Sequence, residues 1–261
     1  MADAASVGYG DGMNIGIIGA GNIGGALAQK LVTLGHLVEI ANSRGPETLK
    51  ELSARSGAHA VTTHEAVRGV DLVIVAVPQK SVPQLPKGLF EDVPSSVVVV
   101  DTGNYYPSIR DGIIADIESG TPESAWVAKQ LRRPVFKLFN NIMTHSLVEG
   151  GRPAGARDRI ALPIAGDDPR GKAMLTELID TLGFDGVDAG RLEESWRQQP
   201  GTPVYCTDLD ADGVRRALSL ADRAKAPERR DLAIEKLSQL PPHTAPKDIV
   251  ALAREIQLAP V

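Results

Sequence analysis

The sequence predicts a doubly wound α/β fold, a mostly parallel sheet with helices on both faces, followed by a small helical region. Three observations carry this. Short apolar runs rich in Val and Ile alternate with stretches of helical period, the pattern of linked βαβ units. A glycine turn, Gly19-Ala20-Gly21-Asn22-Ile23-Gly24, joins the first apolar run to the first helix. At 261 residues the chain can bury a sizeable core, as one large α/β domain or as a domain with a smaller partner.

The run 14 to 18 reads as a buried strand, and Ile23, Leu27 and Leu31 mark one face of the helix after the turn. A second strand over 37 to 41 follows Gly35-His36 and ends at Asn42-Ser43-Arg44-Gly45-Pro46, ahead of a helix over 47 to 56. Residues 60 to 62 make a short third strand and 64 to 68 a short helix; 71 to 77 is a buried strand that Pro78 stops. The strand 97 to 100 ends at Asp101. A helix over 124 to 131 then leads to a strand over 135 to 139, and the strands 160 to 165 and 186 to 188 flank a helix over 169 to 182. After Ala189-Gly190 the pattern changes to an irregular stretch, 196 to 203, and then to helices over 213 to 225, 229 to 240 and 247 to 256. Pro241-Pro242 separates the last two, and no internal repeat is apparent.

Composition narrows the function classes. A net charge of -5 without blocks of like charge argues against a general nucleic-acid binder and against a tail for anionic lipid. Cys206 is the only cysteine, so neither an intrachain disulfide nor a thiolate zinc cluster can form, which fits a reducing, cytoplasmic compartment. His36, His59, His64, His145 and His243 show no metal-ligand spacing. Residues 1 to 12 carry two aspartates and three glycines, resemble neither a signal peptide nor a membrane span, and are read as a disordered extension.

The glycine turn points to a dinucleotide. Its glycines permit a tight turn, close approach of a pyrophosphate and close packing of helix on strand, while the free amides at the helix start attract phosphate. The strand before it and the helix after it supply the context that a bare G-x-G-x-x-G lacks, and the fold is therefore of Rossmann type. The coenzyme is read at the end of the second strand, where an acidic residue would bind the ribose 2′-hydroxyl of NAD. Asn42 stands there instead, with Ser43 to donate a hydrogen bond and Arg44 to pair with a 2′-phosphate, so NADP(H) is expected. Glu39 is acidic but lies three residues before the strand end.

Other strand ends supply the rest of the expected site, because ligands of open parallel sheets lie at the carboxyl ends of strands. Val77-Pro78 is placed beside the ribose and pyrophosphate. Asp101-Thr102-Gly103-Asn104 closes the next strand with polar groups and a glycine, and Asn140-Asn141-Ile142 ends the following one where a nicotinamide or a second substrate would lie. The expected coenzyme contacts among these are Val77, Pro78, Thr102, Gly103, Asn104, Asn140, Asn141 and Ile142. No Gly-x-Ser-x-Gly elbow and no Walker lysine motif is present, and no catalytic residue stands out. Hydride transfer remains, for which the coenzyme brings the chemistry and the protein brings orientation.

Gly19-Ala20-Gly21-Asn22-Ile23-Gly24, Asn42-Ser43-Arg44, Val77-Pro78, Asp101-Thr102-Gly103-Asn104, Ala165-Gly166-Asp167-Asp168 and Asp188-Ala189-Gly190, in this order, resemble the NADPH-dependent coenzyme F420 reductase family. The resemblance spans residues 13 to 190, the expected NADP-binding domain; 191 to 261 is the C-terminal helical region. It implies hydride exchange between NADP(H) and a deazaflavin bound face to face in a cleft, in a homodimer. Carried over by position, Ser43 and Arg44 hold the 2′-phosphate while Asn140, Asn141 and Ile142 flank the stacked rings. Asn140 and Asn141 stand where characterised F420 reductases have His and Thr. That leaves a second expectation, reduction of a flavin, quinone or small carbonyl or imine, with Lys137, His145 or Tyr205 as proton donor. A third is a non-catalytic NADP(H)-binding sensor that uses its C-terminal helices as a partner surface.

Overall fold

The computed structural model describes residues 12–259; nearly all of the expected N-terminal extension lies outside them. The elements are β1 (Asn14–Ile18), α1 (Asn22–Thr33), β2 (Leu37–Ala41), α2 (Lys50–Ser56), β3 (His59–Ala60), β4 (Leu72–Val75), β5 (Val98–Asp101), α3 (Ala115–Glu118), α4 (Glu123–Leu131), β6 (Phe136–Lys137), α5 (Thr144–Glu149), β7 (Ala161–Ile164), α6 (Pro169–Thr181), β8 (Asp185–Asp188), α7 (Ala211–Ser219), α8 (Ala226–Ser238) and α9 (Pro246–Gln257). Six strands form one parallel sheet in the order β3-β2-β1-β4-β5-β6. The order reverses between β1 and β4, and this switch point opens the crevice in which doubly wound folds take ligands.

Alternation along the central strands divides the core between the two faces of the sheet. Ile15, Ile17, Val38, Ile40, Leu72 and Ile74 pack on one side against Leu27 and Leu31 of α1. Val73, Val75 and Val99 pack on the other against Val67, Leu89, Phe90 and Val93. Gly16 sits where no side chain fits, because a Cβ there would lie 1.6 Å from the Ala66 carbonyl oxygen.

The last two alternating strands depart from the single sheet expected. β7 and β8 pair in parallel with each other as a separate sheet, joined through α6. The cause lies in β6, which has two residues, after which the chain swings away at Phe139 with φ of 62°. β7 meets it antiparallel, through Lys137 N to Ala165 O at 2.9 Å and Ala165 N to Lys137 O at 3.2 Å, and so cannot extend a parallel ladder. α7 covers this small sheet with Val214, Ala217 and Leu218. It ends at Ser219, short of the expected 225, and the chain restarts at α8 with Pro227 in its first turn. α8 buries no residue, whereas α9 turns Val250, Ala253 and Ile256 inward. No helix among the described residues is long and apolar enough to cross a membrane.

Candidate functional site

The turn between β1 and α1 divides three tasks among its glycines. Gly19 adopts φ of +115°, and a Cβ on it would stand 2.2 Å from the Ala76 carbonyl oxygen; a Cβ on Gly24 would stand 1.9 Å from the Gly19 carbonyl oxygen. Those two are needed for folding. Around Gly21 nothing of the protein lies within 4 Å of a Cβ position and its φ is -78°, so neither packing nor backbone conformation requires a glycine there. Gly21 is also the N-cap of α1, with no capping side chain and no acidic residue in the first turn, so Asn22 and Ile23 begin a helix with free amides and a positive dipole end.

The turn opens into a cavity of about 620 Å³. Gly19, Ala20 and Gly21 form one wall, Asn42 to Gly45 another, Thr62 to His64 a third, and Ala76 to Pro78 with Ser81 and Gln84 to Pro86 the far side. No carboxylate is among the lining residues. Asn42 builds the turn: its Oδ1 accepts from Arg44 N at 2.9 Å and its Nδ2 donates to Thr48 Oγ1 at 2.9 Å. Ser43 and Arg44 are carried outward, and the Arg44 guanidinium has no hydrogen bond or ion pair among the described residues. Glu39 does not line the cavity; burial, then Glu65, raise its pKa.

A different construction occupies the ends of β5 and β6. Lys137 is fully buried and donates to Gly103 O at 2.9 Å and to Glu123 Oε2 at 3.1 Å, with Asp101 Oδ2 at 4.0 Å. Ser124 donates to Asp101 Oδ2 at 2.6 Å and Gly103 N to Asp101 Oδ1 at 2.9 Å. Burial pushes the Glu123 carboxyl above its ordinary range, against the pull of Lys137. Thr102 N returns to Val75 O at 3.1 Å. Asn104 and Asn140 exchange bonds, Asn104 Nδ2 to Asn140 O at 2.9 Å and Asn140 Nδ2 to Asn104 Oδ1 at 3.1 Å. Gln198 completes the knot, accepting from Asn140 Nδ2 at its carbonyl, 2.6 Å, and donating to Asn140 Oδ1 at 3.0 Å and Pro163 O at 3.1 Å. Gln79 is buried against Gly103 with no partner for either amide atom, and the Asn141 Oδ1 likewise has none.

The cavity therefore gathers Gly19, Ala20, Gly21, Asn42, Ser43, Arg44, Val77 and Pro78 of the expected residues. Thr102, Gly103, Asn104, Asn140, Asn141 and Ile142 stand at the neighbouring strand ends, outside its lining. Thr62, Thr63, His64, Ser81 and Gln84 are lining residues that the sequence reading missed. Their signal was position: each follows a strand that runs parallel to β1, on the edge where ligands bind.

The three proton-donor candidates separate by geometry. Lys137 is committed to Glu123 and Gly103 within the core. His145 is exposed at the start of α5. Tyr205 is hydrogen-bonded through its hydroxyl to that of Tyr106, and the next residue, Cys206, donates its backbone N–H to Asn141 O at 2.9 Å. Burial raises the pKa of both phenols and lifts the Cys206 thiol to about 12, so all three stay protonated near neutrality.

Residues 14–105, from β1 through the loop after β5, match the family model described as NADP oxidoreductase, coenzyme F420-dependent. YjhV of Escherichia coli K12 is 36% identical over 128 residues, 48% of this chain and 84% of that protein. The chain belongs to the F420-dependent NADP oxidoreductase family. The crystal structure of SMa0349 from Sinorhizobium meliloti superposes with a TM-score of 0.64 at 30% identity, over 76% of this chain and 95% of that one. A protein of Arthrobacter sp. FB24, provisionally assigned as an F420-dependent NADP reductase, shares the fold with a TM-score of 0.59 at 23% identity, covering 70% and 87% of the two chains. Membership makes this chain an NADP-dependent oxidoreductase acting on a small molecule, with NADP(H) as its coenzyme.

Proposed function

We propose that this chain reduces or oxidises a fused-ring acceptor of the deazaflavin class with NADP(H), and that the coenzyme lies along the 620 Å³ cavity. The observation that carries the reading is a pair of features on one cavity: an unobstructed Gly21 at a free helix N-terminus, and an unpaired Arg44 in a lining without carboxylates. Gly19, Ala20, Gly21, Asn22, Ile23 and Gly24 cradle the pyrophosphate, by amides and by lack of side chain. Ser43 and Arg44 take the 2′-phosphate, with Asn42 holding the turn that presents them. Val77 and Pro78 border the ribose, and Thr102, Gly103 and Asn104 the nicotinamide. The bound coenzyme supplies the hydride. Asn140, with its amide consumed inside the protein, fixes the floor of the acceptor side, while Asn141 and Ile142 border the rings.

A second reading keeps the coenzyme site and changes the acceptor to a flavin, quinone or small carbonyl or imine. The Tyr106–Tyr205 hydroxyl pair favours it, because protonated phenols next to the Asn141 loop can donate a hydrogen bond to an atom that gains negative charge.

Two measurements test these readings. Arg44→Ala should weaken NADPH binding by about 1–3 kcal/mol, read by fluorescence titration; unchanged affinity would sink the 2′-phosphate assignment. Stopped-flow mixing of the NADPH-loaded protein with F420, FMN and simple quinones separates the acceptors. Oxidation by F420 alone supports the first reading, oxidation by the others the second, and no oxidation by any of them a binding protein without catalysis.

A further inference from the structure

We propose that His64 joins Arg44 as a ligand of the coenzyme's 2′-phosphate, and that its protonation tunes how strongly the site prefers NADP(H) to NAD(H). This rests on the reading of the cavity as the coenzyme site. β3 lies next to β2 in the parallel sheet, so the loops that leave the two strands open on the same edge. The result is that His64 lines the same cavity as Ser43 and Arg44. Its imidazole is exposed and has no hydrogen-bond partner among the described residues.

The turn that carries His64 is tied down independently of it. The Glu65 carboxylate accepts from Thr62 N at 2.8 Å and Thr62 Oγ1 at 2.7 Å, and Ala66 N donates to Thr62 O at 3.0 Å. Those hydrogen bonds hold the Glu65 carboxyl below its ordinary range, and its oxygen is committed to Thr62. The other charged or titratable groups on the surrounding elements are Glu39 of β2, Arg44 and Glu47 after β2, Lys50, Glu51 and Arg55 of α2, His59 of β3, Arg68 at the end of the turn, and Lys80 before Ser81. None of the carboxylates among them lines the cavity, which leaves Arg44 and His64 as its basic groups.

The chemistry follows from what each ligand presents. A neutral imidazole offers one N–H, whereas an imidazolium offers two and a positive charge. Phosphate oxygens gain charge-assisted bonds from the imidazolium; the 2′-hydroxyl of NAD gains little. Discrimination is therefore strong with His64 protonated and weakens as the proton is lost.

The test is calorimetric titration of the full chain with NADP⁺ and NAD⁺ at pH 6.5 and 8.5, for the wild type, His64→Gln and His64→Lys. In the wild type the ratio of the NAD⁺ to the NADP⁺ dissociation constant should fall by about 3- to 10-fold between the two pH values. His64→Gln should show a low ratio at both, carrying only the titration of the phosphate itself, whose second pKa is about 6. His64→Lys, with a fixed charge, should keep the ratio high throughout. A wild-type pH dependence that persists in His64→Gln overturns the inference, and so does a wild-type ratio that does not fall. Arg44→Ala separates the two levels: if it weakens NADP⁺ while His64→Gln is silent, only His64 is wrong, and if neither variant matters the cavity is not the 2′-phosphate site. Circular dichroism melts of each variant exclude loss of fold as the cause.

Discussion

Around the glycine turn the two basic side chains are left free, whereas at the ends of β5 and β6 the charged groups and the Asn104 and Asn140 amides are spent on one another. Arg44 and His64 stand on the cavity without partners, and Gly21 faces open space. Lys137, Asp101, Glu123, Asn104, Asn140 and Gln198 instead form a closed network under the neighbouring loops. The difference teaches where binding energy and where rigidity come from. A free cation on a cavity can give its hydrogen bonds to a ligand, while a buried, satisfied one can only hold the backbone in place. Removing members of the two groups should accordingly have opposite signatures, one on stability and the other on affinity.

The largest effect is expected at Lys137. Lys137→Met leaves the buried carboxyls of Asp101 and Glu123 without their cation and should cost about 3–5 kcal/mol in urea unfolding. A loss below about 1 kcal/mol would mean that the network is loosely made. Next comes Gly24→Ala, whose new Cβ meets the Gly19 carbonyl; about 1–3 kcal/mol of stability should go, and coenzyme binding with it. Gly21→Ala is its counterpart: stability should stay within about 1 kcal/mol, because the site is open on the protein side, while NADPH affinity drops about tenfold or more. Equal damage to folding in both variants would erase the distinction between the two glycines.

Glu123 gives the network a pH signature. Because its native pKa is raised, the folded state keeps a proton that the unfolded chain releases near 4.5. The stability it contributes is complete below that value and declines as pH rises through the native pKa. Melting midpoints of the wild type should therefore fall relative to those of Glu123→Gln between pH 4.5 and neutrality; a constant gap would show that Glu123 is ionised throughout. The smallest effect belongs to Cys206, whose φ of +57° a glycine adopts without strain. Cys206→Gly should change stability by no more than about 1 kcal/mol, since relief of about 1–2 kcal/mol of backbone strain is offset by the glycine's greater unfolded entropy and by loss of the buried thiol.

Much of the cavity side was legible in the sequence because its residues are contiguous. Gly19 to Gly24 and Asn42 to Arg44 are short segments whose turn chemistry can be read directly. The knot side was only half legible. Asn104 and Asn140 were singled out as strand-end amides, yet their engagement with each other and with Gln198 depends on a segment 58 residues further on. The separation of β7 and β8 from the main sheet was hidden for a similar reason: apolar runs announce strands, while the brevity of β6 and the swing at Phe139 decide which ladder they join.

By itself the sequence determined the alternating α/β order and the glycine turn after the first strand, because both rest on local backbone chemistry and periodicity. Only the tertiary structure decided which polar groups remain free. It placed His64 on the same cavity as Arg44 and enclosed Asn140 within protein, because adjacency across parallel strands is set by sheet order and not by distance along the chain.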